Sequence, residues 1–353
     1  MAFTTIDDPE KYFQCKIYTG DGSTSNAQTF DGDSDMQPDV VWFKRRSGSG
    51  NHFIYDSIRG ANRSLVPNDG DTEATSGEQT TYLASFDSDG FTLGDDVNNV
   101  NANTETYVAW CWKAAGSNAN NSDGDISSVI RANTTSGFSI VTYTGNATSG
   151  QGVGHGLGIA PKIISIKNRD QNDNWILFTT ATDNSLDYIT SGWQDSNGKG
   201  DSGLDVPTTS IFDIHSDAHQ NATGEKYVAY CWAEVKGFSK IGSFVGNGNA
   251  NGPFVYTGFK PAFLLTKKVS EGSGEWHIYD NKREPDNVRQ NVLSPNLAAA
   301  DSINANCNTD LLSNGFKIRN NNDNRNDSAE THIYMAFAES PFVNSNGVPN
   351  NAE

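Results

Sequence analysis

An all-β fold made of three tandem related β-sandwich units, of the jelly-roll or lectin-like kind, is what this sequence predicts. Three observations predict it. A set of short aromatic segments recurs three times; each segment is four to seven residues, rich in Val, Ile, Tyr, Phe and Trp; and Gly, Asn and Asp bound them. The 353 residues include 34 Gly and about 40 Asn, which tolerate positive φ or bond their own backbone, so short strands and many loops are expected.

The opening element reads KIYTGDG at 16–22, VTYTGNA at 141–147 and SFVGNG at 243–248. Next comes an apolar run headed by proline: PDVVWFKRR from Pro38, PKIISIKNR from Pro161 and PAFLLTKK from Pro261. A strand's first residue need not donate to the ladder, so proline is tolerated there. In each run a lysine lies six residues after the proline, at Lys44, Lys167 and Lys267. The third element is HFIYDSIRG at 52–60 and WHIYDNKRE at 276–284, with a fainter match in WILFTTATD at 175–183. The closing element is YVAWCW from Tyr107, YVAYCW from Tyr227 and YMAFAE from Tyr334, preceded in the first and third copies by SDGFTLG at 88–94 and SNGFKIR at 313–319. Runs such as VVWF and YVAWCW are apolar at successive positions, as strands covered on both faces are.

These copies divide the chain into a first unit at 1–115, a polar linker at 116–136, a second unit at 137–236, a third at 237–342 and a tail at 343–353. No spacer separates the second from the third, since AEVKGFSKIG runs from one closing element into the next opening element, so tight coupling is expected there. Helix is limited to short turns at 285–293 and 56–65.

Charge narrows the partners. With 43 acidic against 25 basic residues the net charge is −18, and no Lys/Arg stripe offers counterion release, so nucleic acid is set aside. No apolar run reaches the roughly 18–20 residues that span a bilayer. The start, MAFTTIDDPEKYFQ, has neither a basic nor an apolar leader region, so a cytoplasmic beginning is expected. Cys111 and Cys231 lie among aromatics and read as buried thiols; no CxxC spacing suggests metal or redox work. Cys15 could approach Cys111 only if the first and last strands of the unit were neighbours. The sequons at Asn62, Asn133, Asn146, Asn221 and Asn326 read as turns.

Chemical motifs are weak. GDSG at 200–203 matches the nucleophile loop of trypsin-like proteases, but no histidine or aspartate stands in its usual local context. DGDSD at 31–35 alternates carboxylates like a calcium loop, with its glycine misplaced and Trp42 where a bidentate Glu belongs. His215 and His219 have HxxxH spacing, which clusters ligands only on a helix. No closely spaced ExDxxE pattern supports glycoside hydrolysis. The recurrent charged residues Lys44, Asp56 and Arg59, with Lys267, Asp280 and Arg283, are expected to form ion pairs clasping adjacent strand ends; the second copy lacks the Asp and the Arg. Trp175, Trp193 and Trp276 stand outside the most apolar strands and are the candidates for stacking on a sugar, with core packing the competing use. No catalytic residue, metal or cofactor is expected.

The linked set YTGDG, PDVVWFKRR, IYDSIRGANRSL, SFDSDGFTLG and YVAWCWKA, with the terminal FAESPFVNSNGVPNNAE, resembles a family of virion structural proteins from marine bacteriophages, chiefly of cyanobacteria and related ocean bacteria. The resemblance spans nearly the whole chain. It implies a non-enzymatic component assembled in the host cytoplasm and carried on the particle surface, as a capsid decoration or tail-associated appendage. Its partners would be other capsid or tail proteins, further copies of itself and a host-surface glycan, without membrane insertion. The alternatives are a carbohydrate-binding host-recognition protein of the tail-fibre kind and a polysaccharide depolymerase.

Overall fold

The computed structural model describes residues 3–95, 99–183, 185–194, 196–270 and 274–349. Residues 350–353 of the expected tail lie outside them. The described residues are all-β, and their only α-helix is the four-residue Asp323–Asn326. The two stretches offered as helical turns are extended instead: Gly60–Leu65 is a strand, Asn291–Val292 is another, and Arg289 bridges Thr309.

One strand order occurs three times. In the first sheet Phe13–Thr19, Thr106–Trp112, Val40–Arg45 and His52–Asp56 lie side by side, with Gly60–Leu65 at the edge. In the second, Phe138–Thr144, Lys226–Trp232, Ile163–Asn168 and Ile176–Thr179 follow the same order. In the third it is Ser239–Val245, Thr331–Pro341, Phe259–Lys268 and Trp276–Asp280. Every pairing is antiparallel, so in each sheet the closing element is central and is flanked by the opening and proline-headed elements.

Register shows how well the copies match. Lys44 stands opposite Val108, Lys167 opposite Val228 and Lys267 opposite Ile333. On the other side of the closing strand, rings stack at one shared position: Tyr18 on Tyr107 at 5.2 Å, Tyr143 on Tyr227 at 5.1 Å and Phe244 on His332 at 5.0 Å. The third closing strand is therefore offset by two residues from the sequence match. His332, not Tyr334, occupies the place of Tyr107, and Tyr334 takes that of Ala109.

A buried asparagine six residues before each of those rings fixes the turn that follows the opening strand. Asn101, Asn221 and Asn326 accept through Oδ1 from the N–H of Asp21 (3.2 Å), Asn146 (2.7 Å) and Asn247 (2.9 Å). Their own carbonyls accept from Gly22, Ala147 and Gly248, each at 2.8 Å. This clasp explains the glycine of each opening motif. A Cβ at Gly20, Gly145 or Gly246 would lie 2.1–2.3 Å from the carbonyl oxygen of the residue after the asparagine. Two of the sequons, Asn221 and Asn326, are thus fully buried clasp residues.

Successive side chains of a strand point to opposite faces, and here both faces are covered. On the outer face of the first sheet Phe43, Phe53, Tyr55 and Cys111 cluster with Leu83, Phe91 and Leu93 of a small three-stranded sheet. The second sheet does the same through Val141, Ile164 and Phe178 with Val153, Phe212 and Ile214. The inner faces of all three sheets share one core that holds all seven tryptophans, Trp42, Trp110, Trp112, Trp175, Trp193, Trp232 and Trp276. Cys15 and Cys111 are on neighbouring strands but on opposite faces, in different clusters, and all four cysteines are free and buried.

The expected linker is not a spacer. Ala119–Asn121 and Ser128–Asn133 are strands that extend the second sheet beyond its opening strand. Ser128 and Ile130 alternate inward, and Arg131 reaches back to Asp39 of the first unit at 2.7 Å. The stretch is polar because it forms an edge with one face in solvent.

Substituting Gly145→Ala should cost more than about 2 kcal/mol in urea unfolding, since the blocking atom is backbone and cannot yield. Gly116→Ala, where nothing stands within 4 Å, should stay within about 0.5 kcal/mol of the parent.

Candidate functional site

The residues singled out by the repeat converge where the three sheets meet. Two residues before His52, Trp175 and Trp276, a backbone N–H crosses to another unit: Gly50 to Ala298 O (2.8 Å), Asp173 to Gly70 O (2.8 Å) and Gly274 to Ser196 O (2.9 Å). In the second and third units the tryptophan at that position repeats the crossing with its ring. Trp175 Nε1 donates to Val66 O and Trp276 Nε1 to Gly192 O, each at 3.0 Å. His52 takes that place in the first unit. Its Nδ1 accepts from Trp42 Nε1 at 2.9 Å, so Nε2 carries the proton and donates to Ser294 O at 3.1 Å. First reaches third, third reaches second and second reaches first: the three sheets close into a ring with threefold pseudo-symmetry.

Of the expected ion-pair residues, Asp56 pairs with Arg59 and Asp280 with Arg283, and these pairs belong to chains that join units. Asp56 accepts the N–H groups of Ile58 and Arg59 through Oδ1, and through Oδ2 it pairs with Arg59 Nε and accepts from Tyr230 OH of the second unit at 2.8 Å. Arg59 Nη1 continues to Glu73 Oε1 at 3.1 Å, and Glu73 takes a two-pronged contact from Arg169 of the second unit at 2.8 and 2.9 Å. The third unit repeats this against the first. Asp280 Oδ2 accepts from Arg283 Nε at 2.6 Å and Trp110 Nε1 at 3.1 Å, Arg283 Nη1 reaches Asp301 at 3.0 Å, and Asp301 meets Arg46 at 3.0 Å. Burial alone would raise the Asp280 carboxyl, yet the Arg283 guanidinium and hydrogen bonds from the Arg283 N–H and Trp110 together hold the pKa below its ordinary value.

At the remaining junction the whole set is exchanged together. Register puts Thr179 and Thr182 in the places of Asp56 and Arg59, Met335 in that of Trp110 and Tyr230, and Val269 in that of Arg46 and Arg169. Lys199 takes the place of the outlying acid, its N–H bonding Val269 O as those of Glu73 and Asp301 bond Arg169 O and Arg46 O, and its ammonium pairs at 2.8 Å with Asp187, which also accepts from Thr182, so the charge here stays within the second unit.

Lys44 and Lys267, expected among the ion pairs, both donate to backbone carbonyls. Lys44 Nζ donates to Arg45 O (2.8 Å), and Lys267 Nζ donates to Gly274 O (2.7 Å) above the Trp276 ring. Lys167 Nζ likewise donates to Asn168 O at 2.7 Å. Burial lowers Lys44 and Lys167 each to about 8. These ammonium groups cap carbonyls at the strand ends.

The three sugar-stacking candidates do not stack on anything external. Trp175, Trp193 and Trp276 are each 0% exposed, and Trp193 touches Trp42 at 5.5 Å and Trp276 at 4.8 Å inside the shared core. They stand outside the most apolar strands because they fill the axis between sheets. Around GDSG, His215 does come to Ser202, but its Nε2 meets the backbone oxygen at 2.8 Å, and the hydroxyl accepts from Leu204 N–H. His219 pairs with Asp173 at 2.5 Å. Among the described residues, no three His, Cys, Asp or Glu side chains form a metal-holding group, and no helix is long and apolar enough to cross a membrane.

A family model, described as a domain of unknown function, matches residues 8–341, across all three sheets. The chain belongs to the DUF7483 family. No curated protein and no solved structure matches it. Within this DUF7483 chain, the clasp residues were the signal that motif reading missed. Asn101, Asn221 and Asn326 are each followed four residues later by Glu105, Glu225 and Glu330 and six later by the stacked ring, a spacing that also gives the third closing strand its true register.

Two outcomes follow from the junction. Arg283→Thr leaves the Asp280 carboxylate buried without its partner and should cost about 3–5 kcal/mol, whereas Asp280→Thr with Arg283→Thr should cost less than that single change in the same urea titration. Burial also lowers His332 to about 4 from 6.5, and lowers His52, His155 and His277. Between those two values the unfolded chain binds the proton and the native one does not, so stability declines as pH falls from 6.5 toward 4. His332→Phe, which keeps the ring stack, should flatten that decline by up to about 1.4 kcal/mol per pH unit; an unchanged slope would contradict it.

Proposed function

We propose that this chain is a non-enzymatic structural protein on the exterior of a bacteriophage particle, a capsid decoration or tail-associated appendage. We further read it as three tandem related β-sandwich units of the jelly-roll or lectin-like kind, at about 1–115, 137–236 and 237–342, with 116–136 serving as added edge strands of the second.

The observation that carries this reading is the closed ring. Two buried Asp–Arg chains and three of the seven indole N–H groups, residues from which a catalytic centre could be drawn, join the units to one another, while the buried lysines cap carbonyls at strand ends. A ring of three similar units presents three similar loop edges, the form that fits a threefold-symmetric site on a shell or a trimeric tail component. Loops on a rigid β scaffold suit contact with other virion proteins or a host surface. The net charge of −18 favours solubility of free copies before assembly. The motif resemblance to marine phage virion proteins supplies the particle.

Purified particles from a lysate that encodes this chain should contain it in fixed stoichiometry, and a density map should place its three-lobed body on the outer shell or at the tail vertex. Recovery only in the soluble fraction, with none on particles, would contradict the assignment. Incubation with host polysaccharide should yield no new reducing ends; their appearance would favour the depolymerase alternative.

A further inference from the structure

The frame repeats, but one position in it is used differently in each unit. The residue before the clasping asparagine is Val100, Gln220 and Arg325. In the first unit Val100 joins Phe53 and Tyr55 in an apolar cluster closed by Tyr82, whose ring meets Phe53 edge-on at 5.4 Å. In the third, Arg325 fills the place beside His277 and Tyr279 and donates to Asn306 O at 3.2 Å. In the second the space is open. A cleft of about 360 Å3 lies over Phe178 and is lined by Tyr188, Asp201, His215, Asp217 and Gln220.

Gln220 is 2% exposed, and its Nε2 donates to Asp217 Oδ2 at 2.9 Å. A carboxylate here can only accept, so this bond decides which way the amide faces. Its Oε1 is then left buried without a partner, on a residue that lines the cleft. A buried acceptor of this kind is costly unless a donor reaches it. His215 adds a second acceptor: Nε2 is bound to Ser202 O, so the proton is there and Nδ1 accepts.

We propose that this cleft binds a neutral mono- or disaccharide. Most of its polar groups are acceptors, namely Gln220 Oε1, His215 Nδ1 and the Asp201 and Asp217 carboxylates, beside the Ser202 hydroxyl and His219, so the ligand must bring several donors. Its remaining wall is apolar, from Phe178, Ile176 and the half-buried Tyr188 ring. A pyranose supplies both, hydroxyls around the edge and a C–H face for the ring; a simple ammonium supplies only the donors. The volume falls at the small end of the roughly 300–1,000 Å3 typical of small-molecule sites. Gly200 helps shape the cleft, because a Cβ there would stand 2.9 Å from the Tyr188 ring. The site is separate from the virion assignment, since particle location is measured independently of sugar binding.

The full chain would be titrated by calorimetry with glucose, galactose, mannose, N-acetylglucosamine, cellobiose, lactose and chitobiose, with ethanolamine as the cationic control. At least one neutral sugar should bind at millimolar affinity or better, and Gln220→Val, which copies the first unit, should weaken it about tenfold or more while the fold persists. Tyr188→Ala should weaken it as well; if that variant does not fold, Gln220→Val decides. No binding by any of the sugars, equal affinity in Gln220→Val, or binding of ethanolamine alone would overturn the assignment.

Discussion

The shared indole core is the constraint on which the rest depends. Each sheet turns alternate residues of its strands inward, and those residues complete their cover with residues of the other two units. Trp42, Trp110 and Trp112 from the first, Trp175, Trp193, Tyr230 and Trp232 from the second, and Phe263, Trp276 and Phe337 from the third cover one another instead. Large rings bury much area and leave an N–H that needs an acceptor, so an indole core also specifies polar partners. The crossings from Trp175, Trp276 and Trp110 to carbonyls and to Asp280 answer that need and fix how the units are turned against one another.

Writing the ring into one chain frees the copies to diverge, which three identical subunits could not do. Two junctions carry the buried Asp–Arg pair with an outlying acid and an arginine from the next unit; the third carries two threonines, a methionine and a valine, with a Lys199–Asp187 pair kept inside the second unit. The outer faces differ too, closed by Tyr82 in the first unit, by Arg325 in the third and open in the second. Symmetry thus supplies the scaffold, and departures from it mark where a specific role can be placed.

Much of the scaffold was legible in the sequence. Short aromatic runs bounded by turn formers gave the strands, proline-headed runs gave their start, and the lysine six residues on fell at matching register in all three sheets. What strands apolar on both faces could not reveal was whose core each face entered, so the tryptophans read as belonging to separate interiors or as exposed platforms. Periodicity reports that a side is buried and is silent on its partner. The 116–136 stretch read as a linker because edge strands with one wet face are polar. The third closing strand slipped by two because Tyr334 mimics Tyr107, while the true equivalent is a histidine stacked in its place. The Gln220 cleft was not legible at all, since it arises from residues at 176–220 brought together by folding and from a space that the other copies fill.

Differential scanning calorimetry of the intact chain tests the common core most directly. If the three sheets depend on one another for cover, heat unfolding is a single transition whose calorimetric and van't Hoff enthalpies agree, with a ratio close to one. Two or three resolved transitions, each with its own enthalpy, would mean that the units are stable apart and that the ring of tryptophans does not hold them.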